Sequence, residues 1–246
     1  MNSSPDSLLR FAKIAEITYY NPDVAKAKFK EQGCDIIKFF DVDGAQGYLL
    51  NRYGAFILSF RGTEIKEPSD ILADLKAGKN FEINKLSGRA IGKVHYGFKK
   101  ELDKLWPEIE KQVMDIKYLY VTGHSLGAAM ATIAASRLSD KIISLITFGS
   151  PRVGTKEFVN NCTFVHYRVQ NNCDDVTKVP FMLMGYRHHG IHIYLDVNGV
   201  VRDYGAWQMI KDMVRSRIVS RLKRKRFIRL TDHFMDNYIK KLSATK

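Results

Sequence analysis

The chain has 246 residues, of which 45% are hydrophobic and 26% charged, and its formal net charge is +13 at pH 7. These proportions are ordinary for a soluble globular protein. The excess of positive charge favours an anionic partner, such as a membrane surface, a nucleic acid or an acidic substrate.

Length and local composition narrow the class of protein further. The length suits one α/β domain over residues 1–246 with a sizeable buried core. No stretch approaches the roughly 20 apolar residues of a membrane-spanning helix, and the N-terminus lacks a secretory pattern, so we expect a cytoplasmic protein. Cys34, Cys162 and Cys173 are too few and too scattered for a disulfide framework or a zinc site. We expect free thiols, with a 162–173 bridge as the alternative, and no metal or cofactor.

Hydrophobic periodicity predicts alternating strands and helices along the chain. Helices are predicted at residues 6–32, 97–115, 126–138 and across the last 40 residues. Strands are predicted at residues 35–40, 47–50, 55–60, 118–122, 142–148, 164–169, 191–195 and 199–201. The 55–60 strand is nearly all apolar, as expected of a strand covered on both faces. This alternation implies an α/β fold with a largely parallel sheet and right-handed crossovers.

The strongest local signal is a G-x-S-x-G pattern that joins a predicted strand directly to a predicted helix. Its residues are Gly123, His124, Ser125, Leu126 and Gly127. A serine on so sharp a turn has strained backbone geometry, and the residues two before and two after it must lack a Cβ to avoid collision. The two glycines meet that need. Alone the pattern is weak, but its context predicts a nucleophilic serine at the N-terminus of a helix.

A serine that attacks a carbonyl carbon also needs hydrogen-bond donors for the oxyanion of the tetrahedral intermediate. One donor is expected to be the backbone N–H of Leu126, the residue after the nucleophile. The second should follow an earlier strand, and the end of the 55–60 strand is followed by Gly62 and Thr63. We predict Thr63 as this donor; the alternative is a plain turn in which Thr63 is a cap.

A catalytic serine requires an imidazole base and a carboxylate that orients it. In α/β hydrolases the acid and then the histidine follow the serine in the chain. Asp174 and Asp175 both follow a predicted strand, and their chemistry does not separate them. The later histidines are His188, His189, His192 and His233. His233 follows an apparent helix N-cap at Thr231 or Asp232, which favours it over the 188/189 pair without deciding between them.

Together these residues resemble the class 3 lipases, the family of the fungal triacylglycerol lipases. The similarity runs from about residue 10 to residue 243. Its pieces occur in order: Phe60–Thr63, Ile71–Leu75, Val94–Phe98, Gly123–Ala128, Thr147–Gly154, the acidic loop ending at Pro180, and Asp232-His233.

The resemblance implies an α/β-hydrolase fold and hydrolysis of carboxylic esters, with acylglycerols as the expected substrates and Ser125 as the acylated residue. The family's acidic loop, counted back from Pro180, implies Asp174 as the acid. The Asp-His near the C-terminus of bacterial-type members implies His233 as the base. The resemblance also implies a lid at about residues 64–69. This segment is short and charged, unlike the more apolar lids of the fungal enzymes, so we do not expect strong interfacial activation.

Residues 206–229 combine apolar residues at helical spacing with a dense run of basic side chains. This pattern is typical of an amphipathic helix on an anionic membrane surface. The alternative is a solvated basic face whose apolar side packs on the domain. The residues expected to contact the membrane are Arg215, Arg217, Arg221, Lys223, Arg224, Lys225 and Arg226.

Two other functions compete with an acylglycerol lipase. A phospholipase A1 or lysophospholipase is favoured by the cationic segment, whereas a non-catalytic lipid-binding protein is disfavoured by the intact Ser125, Asp174 and His233. Nucleic-acid binding would rest on charge alone, since the chain carries no recognition motif for it. The sequence does not predict an oligomeric state.

Overall fold

The structure is a computed structural model, and it describes residues 4–62, 78–83, 90–196, 199, 201–202 and 231–245. Thr63, the expected lid at 64–69 and the basic segment at 206–229 lie outside these residues.

Within the described residues, helices and short strands alternate along the chain. The helices are α1 (Pro5–Ile17), α2 (Pro22–Glu31), α3 (Tyr96–Gln112), α4 (Leu126–Arg137), α5 (Lys156–Asn161) and α6 (Met235–Ala244). The strands are β1 (Asp35–Val42), β2 (Ala45–Arg52), β3 (Ala55–Phe60), β4 (Lys79–Ile83), β5 (Ala90–His95), β6 (Leu119–His124), β7 (Ile142–Phe148), β8 (Gly154–Thr155), β9 (His166–Asn171), β10 (Tyr186–Arg187), β11 (Ile191–Leu195) and β12 (Val201–Arg202).

The main sheet has the strand order β1-β2-β3-β6-β7-β9-β11-β12. Its centre is parallel, from β3 through β6, β7 and β9 to β11. The outer pairs β1–β2, β2–β3 and β11–β12 are antiparallel. Because the central strands are parallel, their carboxyl ends meet at one edge, where α/β folds place their ligands.

Helices cover both faces of this sheet, so alternate residues of a central strand enter different cores. In β3, Leu58 and Phe60 belong to the core under α3 and α4. Ile57, from the same strand, belongs to the core under α1, α2 and α6. This burial explains why the 55–60 strand is apolar at nearly every position.

A second, four-stranded sheet in the order β10-β8-β5-β4 was not predicted. β8 and β10 are only two residues long, which is too short to show a strand pattern. β4 carries charged residues, so it lacks the apolar pattern of a buried strand. A buried ion pair connects this sheet to α4. The guanidinium of Arg137 bonds both carboxylate oxygens of Glu82, at 2.7 and 3.1 Å, and each side chain is 1% exposed.

The prediction of one helix over residues 6–32 was wrong, because the segment forms α1 and α2. Asn21 caps the second helix through its side chain, which accepts the N–H of Val24, and Pro22 begins it. Proline lacks the N–H that a continuous helix would need there. No helix in the described part of the chain is long and apolar enough to cross a membrane. All three cysteines are free thiols, so Cys162 and Cys173 are not bridged.

Candidate active site

Ser125 occupies a sharp turn between β6 and α4. Its backbone lies in the left-handed region, with φ 58° and ψ −126°. A Cβ on Gly123 would lie 2.5 Å from the carbonyl carbon of Gly127, and a Cβ on Gly127 would lie 2.9 Å from the carbonyl carbon of Phe60. Only glycine fits at these two positions, so the turn depends on both.

Leu126 is the first residue of α4, so its N–H has no acceptor within the helix. The end of β3 approaches this turn closely. A Cβ on Gly62 would lie 2.6 Å from the carbonyl oxygen of His124 and 3.2 Å from Cβ of Ser125. The residue after Gly62 is Thr63, the predicted second oxyanion donor, which lies outside the described residues.

Asp174 and His233 form a buried pair. Nδ1 of His233 lies 2.8 Å from Oδ2 of Asp174, and the two side chains are 3% and 0% exposed. The other carboxylate oxygen, Oδ1, accepts the backbone N–H of Val176 at 2.9 Å. Burial alone would raise the pKa of Asp174, but the charge of His233 and the hydrogen bonds from His233 and Tyr238 outweigh burial and lower it. The carboxylate is therefore ionised at neutral pH and directs Nδ1–H toward itself.

Phe148 and Gly149 lie against both Ser125 and the Asp174–His233 pair. The N–H of Ser125 donates to the carbonyl oxygen of Phe148 at 3.1 Å. At the next residue, Gly149, a Cβ would lie 2.8 Å from Cε1 of His233 and 2.9 Å from Oδ2 of Asp174. With Nδ1 bound to Asp174, Nε2 of His233 is buried and has no hydrogen-bond partner. Asp174 thus fixes the orientation of the His233 ring through Nδ1, and Nε2 is free to accept a proton.

His124, inside the G-x-S-x-G turn, holds the backbone of His233 in place by a hydrogen bond. Its Nε2 donates to the backbone carbonyl of His233 at 2.7 Å, and its Nδ1 accepts the hydroxyl of Tyr19 at 2.8 Å. The two imidazole rings lie 4.5 Å apart between centroids. Burial and the charge of His233 lower the pKa of His124 to about 3. His124 is therefore neutral at working pH and adds no charge beside the base.

Asp232 supports the acid loop, residues 172–180. Its Oδ2 accepts the side-chain amide of Asn172 at 3.0 Å and the N–H of Cys173 at 3.3 Å. Its backbone carbonyl accepts the side chain of Asn171 at 2.8 Å. The prediction of an N-cap at Thr231 or Asp232 was wrong, since the N-cap of α6 is Phe234. Asp232 instead joins the acid loop to the segment that carries His233.

The other candidates for the acid and the base have different partners in the structure. His233 bonds Asp174, whereas Asp175 forms a partly exposed ion pair with Lys178 at 2.5 Å. His188 bonds the carbonyl of Thr177 at 2.8 Å, while the 189 and 192 imidazoles bond His166 and Gln170. Sequence reasoning missed Tyr19 and Tyr238, because nothing local marks a tyrosine whose partner is distant in the chain. Tyr19 is 105 residues from His124, and Tyr238 is 64 residues from Asp174.

A cleft of about 780 Å³ opens beside Ser125. Its apolar lining includes Phe98, Leu126 and Met130, and its polar lining includes Arg61 and Lys104. Gly62 and Leu126, which lie next to Ser125, line this cleft, whereas Ser125 and His233 are not among its described lining residues.

A family model for Lipase (class 3) matches residues 57–184, slightly more than half of the chain. The chain is 37% identical over 122 residues to secreted mono- and diacylglycerol lipase 1 of Fusarium solani, a match spanning 45% of this chain and 37% of that protein. It is 33% identical over 113 residues to phospholipase A1-IIdelta of Arabidopsis thaliana, spanning 39% of this chain and 27% of that protein. The matches thus span well under half the length of these curated relatives.

Two solved lipase structures share the fold. The Rhizomucor miehei lipase–propeptide complex matches with a TM-score of 0.67 and 22% identity, over 77% of this chain and 68% of that one. Lipase II from Rhizopus niveus matches with a TM-score of 0.62 and 25% identity, over 78% and 80%. The predicted α/β-hydrolase fold with a mostly parallel central sheet is therefore confirmed. Because the family model covers more than half of its length, the chain belongs to the class 3 lipase family.

Proposed function

We propose that the chain hydrolyses carboxylic esters, with acylglycerols as its main substrates, through a triad of Ser125, His233 and Asp174. The observation that carries this proposal is the buried imidazole of His233. Its Nδ1 is bound to an ionised carboxylate, and its Nε2 is buried without a hydrogen-bond partner. Phe148 and Gly149 lie against both the strained Ser125 and this pair.

In the proposed reaction, Nε2 of His233 takes the proton of the Ser125 hydroxyl as its oxygen attacks the ester carbonyl. The N–H of Leu126 and the N-terminus of α4 stabilise the resulting oxyanion, with Thr63 as the second donor. The imidazolium then gives its proton to the leaving alcohol. Water, deprotonated by His233, releases the acid from the acylated serine. Asp174 stays ionised throughout and stabilises the imidazolium.

The cleft supports a substrate with an apolar chain and a polar head. Its volume of about 780 Å³ is within the usual range of small-molecule sites. The apolar side chains at its wall suit an acyl chain. Its described lining also carries three basic side chains, Arg61, Lys100 and Lys104, against two acidic ones, Asp43 and Glu101, and this balance suits a polar or anionic group. The match to a Fusarium protein named a mono- and diacylglycerol lipase supports acylglycerols.

A fluorophosphonate probe tests the nucleophile directly, because it reacts with activated serines. We expect wild type to be labelled and Ser125→Ala to be unreactive, whereas Ser7→Ala, at a partly exposed serine of α1, should label like wild type. Labelling that survives Ser125→Ala would refute the assignment. A panel of p-nitrophenyl esters, mono-, di- and triacylglycerols and phospholipids, assayed beside Ser125→Ala, then identifies the substrate class.

The main alternative is a phospholipase A1 or lysophospholipase. The basic residues of the cleft favour it, as does the match to an Arabidopsis protein named phospholipase A1. If it holds, Lys104→Gln should reduce turnover of phosphatidylglycerol and leave diacylglycerol turnover unchanged. A non-catalytic lipid-binding role is disfavoured by the buried Asp174–His233 pair.

We also propose that the protein is cytoplasmic and works at an anionic membrane surface. Besides the basic segment at 206–229, an apolar ridge at residues 181–184 supports this. Its side chains are exposed, with Phe181 at 58% and Leu183 at 99%. At the last residue of this ridge, the carbonyl of Met184 accepts a hydrogen bond from the ammonium of Lys79. Free thiols support a reducing compartment, although the Fusarium relative is named as secreted.

A further inference from the structure

Seven basic side chains gather behind the acid loop, on the strands β9, β10 and β11 and the segment after β7. This basic cluster consists of Arg152, Arg168, Arg187, His166, His188, His189 and His192. Five of them line one small cavity together with Ser150 and Thr132, and the described lining residues include no Asp or Glu. The cavity has room for about one occupant the size of a water molecule.

Arg168 is the unusual member of the basic cluster. Its side chain is 7% exposed, and both Nε and Nη1 are buried without a hydrogen-bond partner. Burial and the charge of Arg152 lower the pKa of Arg168 to about 10, so it stays charged at neutral pH. No carboxylate among the described residues contacts its guanidinium. On the neighbouring strand, the residue paired with Arg168 is His192.

Among the described residues, the charge in the basic cluster is therefore not compensated by a carboxylate. An unpaired buried charge costs several kcal/mol, and buried N–H groups without partners add to that cost. The neighbouring histidines do not offset it, because they are neutral. Burial and the charges of Arg168 and Arg152 lower the pKa of His188 well below its usual value. A water molecule would satisfy the N–H groups but would leave the charge of the arginines unbalanced.

We propose that the basic cluster binds one small monovalent anion, for which chloride is the probe, held by Nε and Nη1 of Arg168 with Arg187 beside it. The site backs onto the acid loop. Nε2 of His188 donates to the carbonyl of Thr177, and the Thr177 hydroxyl donates to the carbonyl of Asp174, each at 2.8 Å. Occupancy of the site thus stabilises the loop that carries Asp174.

Bromide, which scatters anomalously, locates the site in crystals of the full chain soaked in sodium bromide. We expect an anomalous peak within hydrogen-bond distance of Nε and Nη1 of Arg168. In solution, replacing gluconate by chloride at constant ionic strength should raise the melting temperature by about 2–4 °C, because an anion that binds only the folded state stabilises it, and about 1 kcal/mol gives such a shift in a chain of this size. No peak, or equal melting temperatures in the two salts, overturns the proposal.

Three variants make the test specific. Arg168→Met should abolish the response to chloride. His192→Glu places a carboxylate opposite Arg168, so its melting temperature in gluconate should equal or exceed that of wild type in chloride, and chloride should add nothing. Arg52→Met, at the far end of the sheet, should keep the full response. If Arg168→Met does not fold, the bromide peak and the chloride response of His192→Glu still test whether the anion site exists. A chloride response that persists in His192→Glu contradicts the site.

Discussion

The hydroxyl of Tyr238 donates a 2.7 Å hydrogen bond to Oδ2 of Asp174, and both side chains are fully excluded from solvent. The same tyrosine oxygen accepts the backbone N–H of Asn171 at 3.1 Å. Since Oδ2 also binds His233, α6 supplies both a hydrogen bond that holds the carboxylate and the packing that buries it. The orientation of the proposed acid therefore depends on a helix more than 60 residues further along the chain.

Tyr238→Phe should lower the free energy of unfolding by about 1.5–3 kcal/mol, the usual range for a hydrogen bond to a charged group. A carboxyl with a lowered pKa stabilises the native state above its unfolded pKa, and this stability is lost as pH falls through the folded pKa. Without the tyrosine bond the pKa of Asp174 rises, so acid unfolding should begin at higher pH. Urea unfolding at several pH values checks this, with the exposed Tyr118→Phe as the control. Equal acid sensitivity of Tyr238→Phe and wild type would contradict it.

Asp174→Asn should reduce kcat/KM for a soluble p-nitrophenyl ester by roughly 10³–10⁴-fold, because an amide no longer selects the required tautomer of His233. Asp175→Asn should stay within about threefold of wild type, since that side chain pairs with Lys178 at a half-exposed position. Circular dichroism verifies that both variants fold. The reverse ranking of the two variants would mean that Asp175 is the acid.

Buried neutral histidines predict that the protein is destabilised by mild acid. The pKa values of His124, His166 and His188 are lowered, chiefly by burial and then by neighbouring cationic groups, to about 3 in the case of His124. Below about pH 6.5 the unfolded chain binds protons that the native state does not. The free energy of unfolding therefore decreases as the pH is lowered. Each histidine contributes up to about 1.4 kcal/mol per pH unit.

Urea unfolding at pH 7.5, 6.5 and 5.5 measures this slope. His166→Asn should make the dependence shallower by about one proton, because one buried imidazole is removed. A free energy of unfolding that stays constant between pH 7.5 and 5.5 would show that these rings do not stay neutral in the native state.

Arg137→Met should destabilise the protein by about 3–5 kcal/mol, because it leaves the buried carboxylate of Glu82 with only the more distant Lys99, at 4.0 Å, as a cationic neighbour. Asp103, which also bonds Arg137 at 2.6 Å, is more exposed and can turn to solvent. The double variant Arg137→Met/Glu82→Gln should recover part of the loss. Lys30→Met, which breaks an exposed ion pair with Asp35, should change stability by less than about 1 kcal/mol. Chemical denaturation compares all three, and equal effects of the two single variants would contradict the prediction.

Leu183→Asp should weaken binding to phosphatidylcholine/phosphatidylglycerol vesicles at least about tenfold, since it removes apolar burial and adds repulsion from anionic lipid. Met114→Asp is the matched control, because Met114 is also exposed, at 66%, but lies outside the ridge. Both are measured by vesicle co-sedimentation in a Ser125→Ala background, so that binding is separated from hydrolysis. Unchanged binding of Leu183→Asp would remove the ridge from the proposed membrane contact.

Some features of this protein follow from local sequence. The G-x-S-x-G turn is recognisable because a strained backbone admits only glycine at positions 123 and 127, and this requirement acts within five residues. The central strands are recognisable because burial on both faces requires apolar residues at nearly every position. Both effects act between neighbours in the chain, so they leave a local pattern.

Other features were decided only by the tertiary structure. The residues alone left Asp174 and Asp175 equivalent, and the fold distinguishes them because only one carboxylate faces His233 and is buried beneath Tyr238. The second sheet depends on the contact between Glu82 and Arg137, which are 55 residues apart. The unpaired charge of Arg168 exists because strand pairing places His192, and no carboxylate, beside it. Hydrogen bonding and charge balance act between residues that are close in space, and a single sequence records which residues are present but not which of them meet.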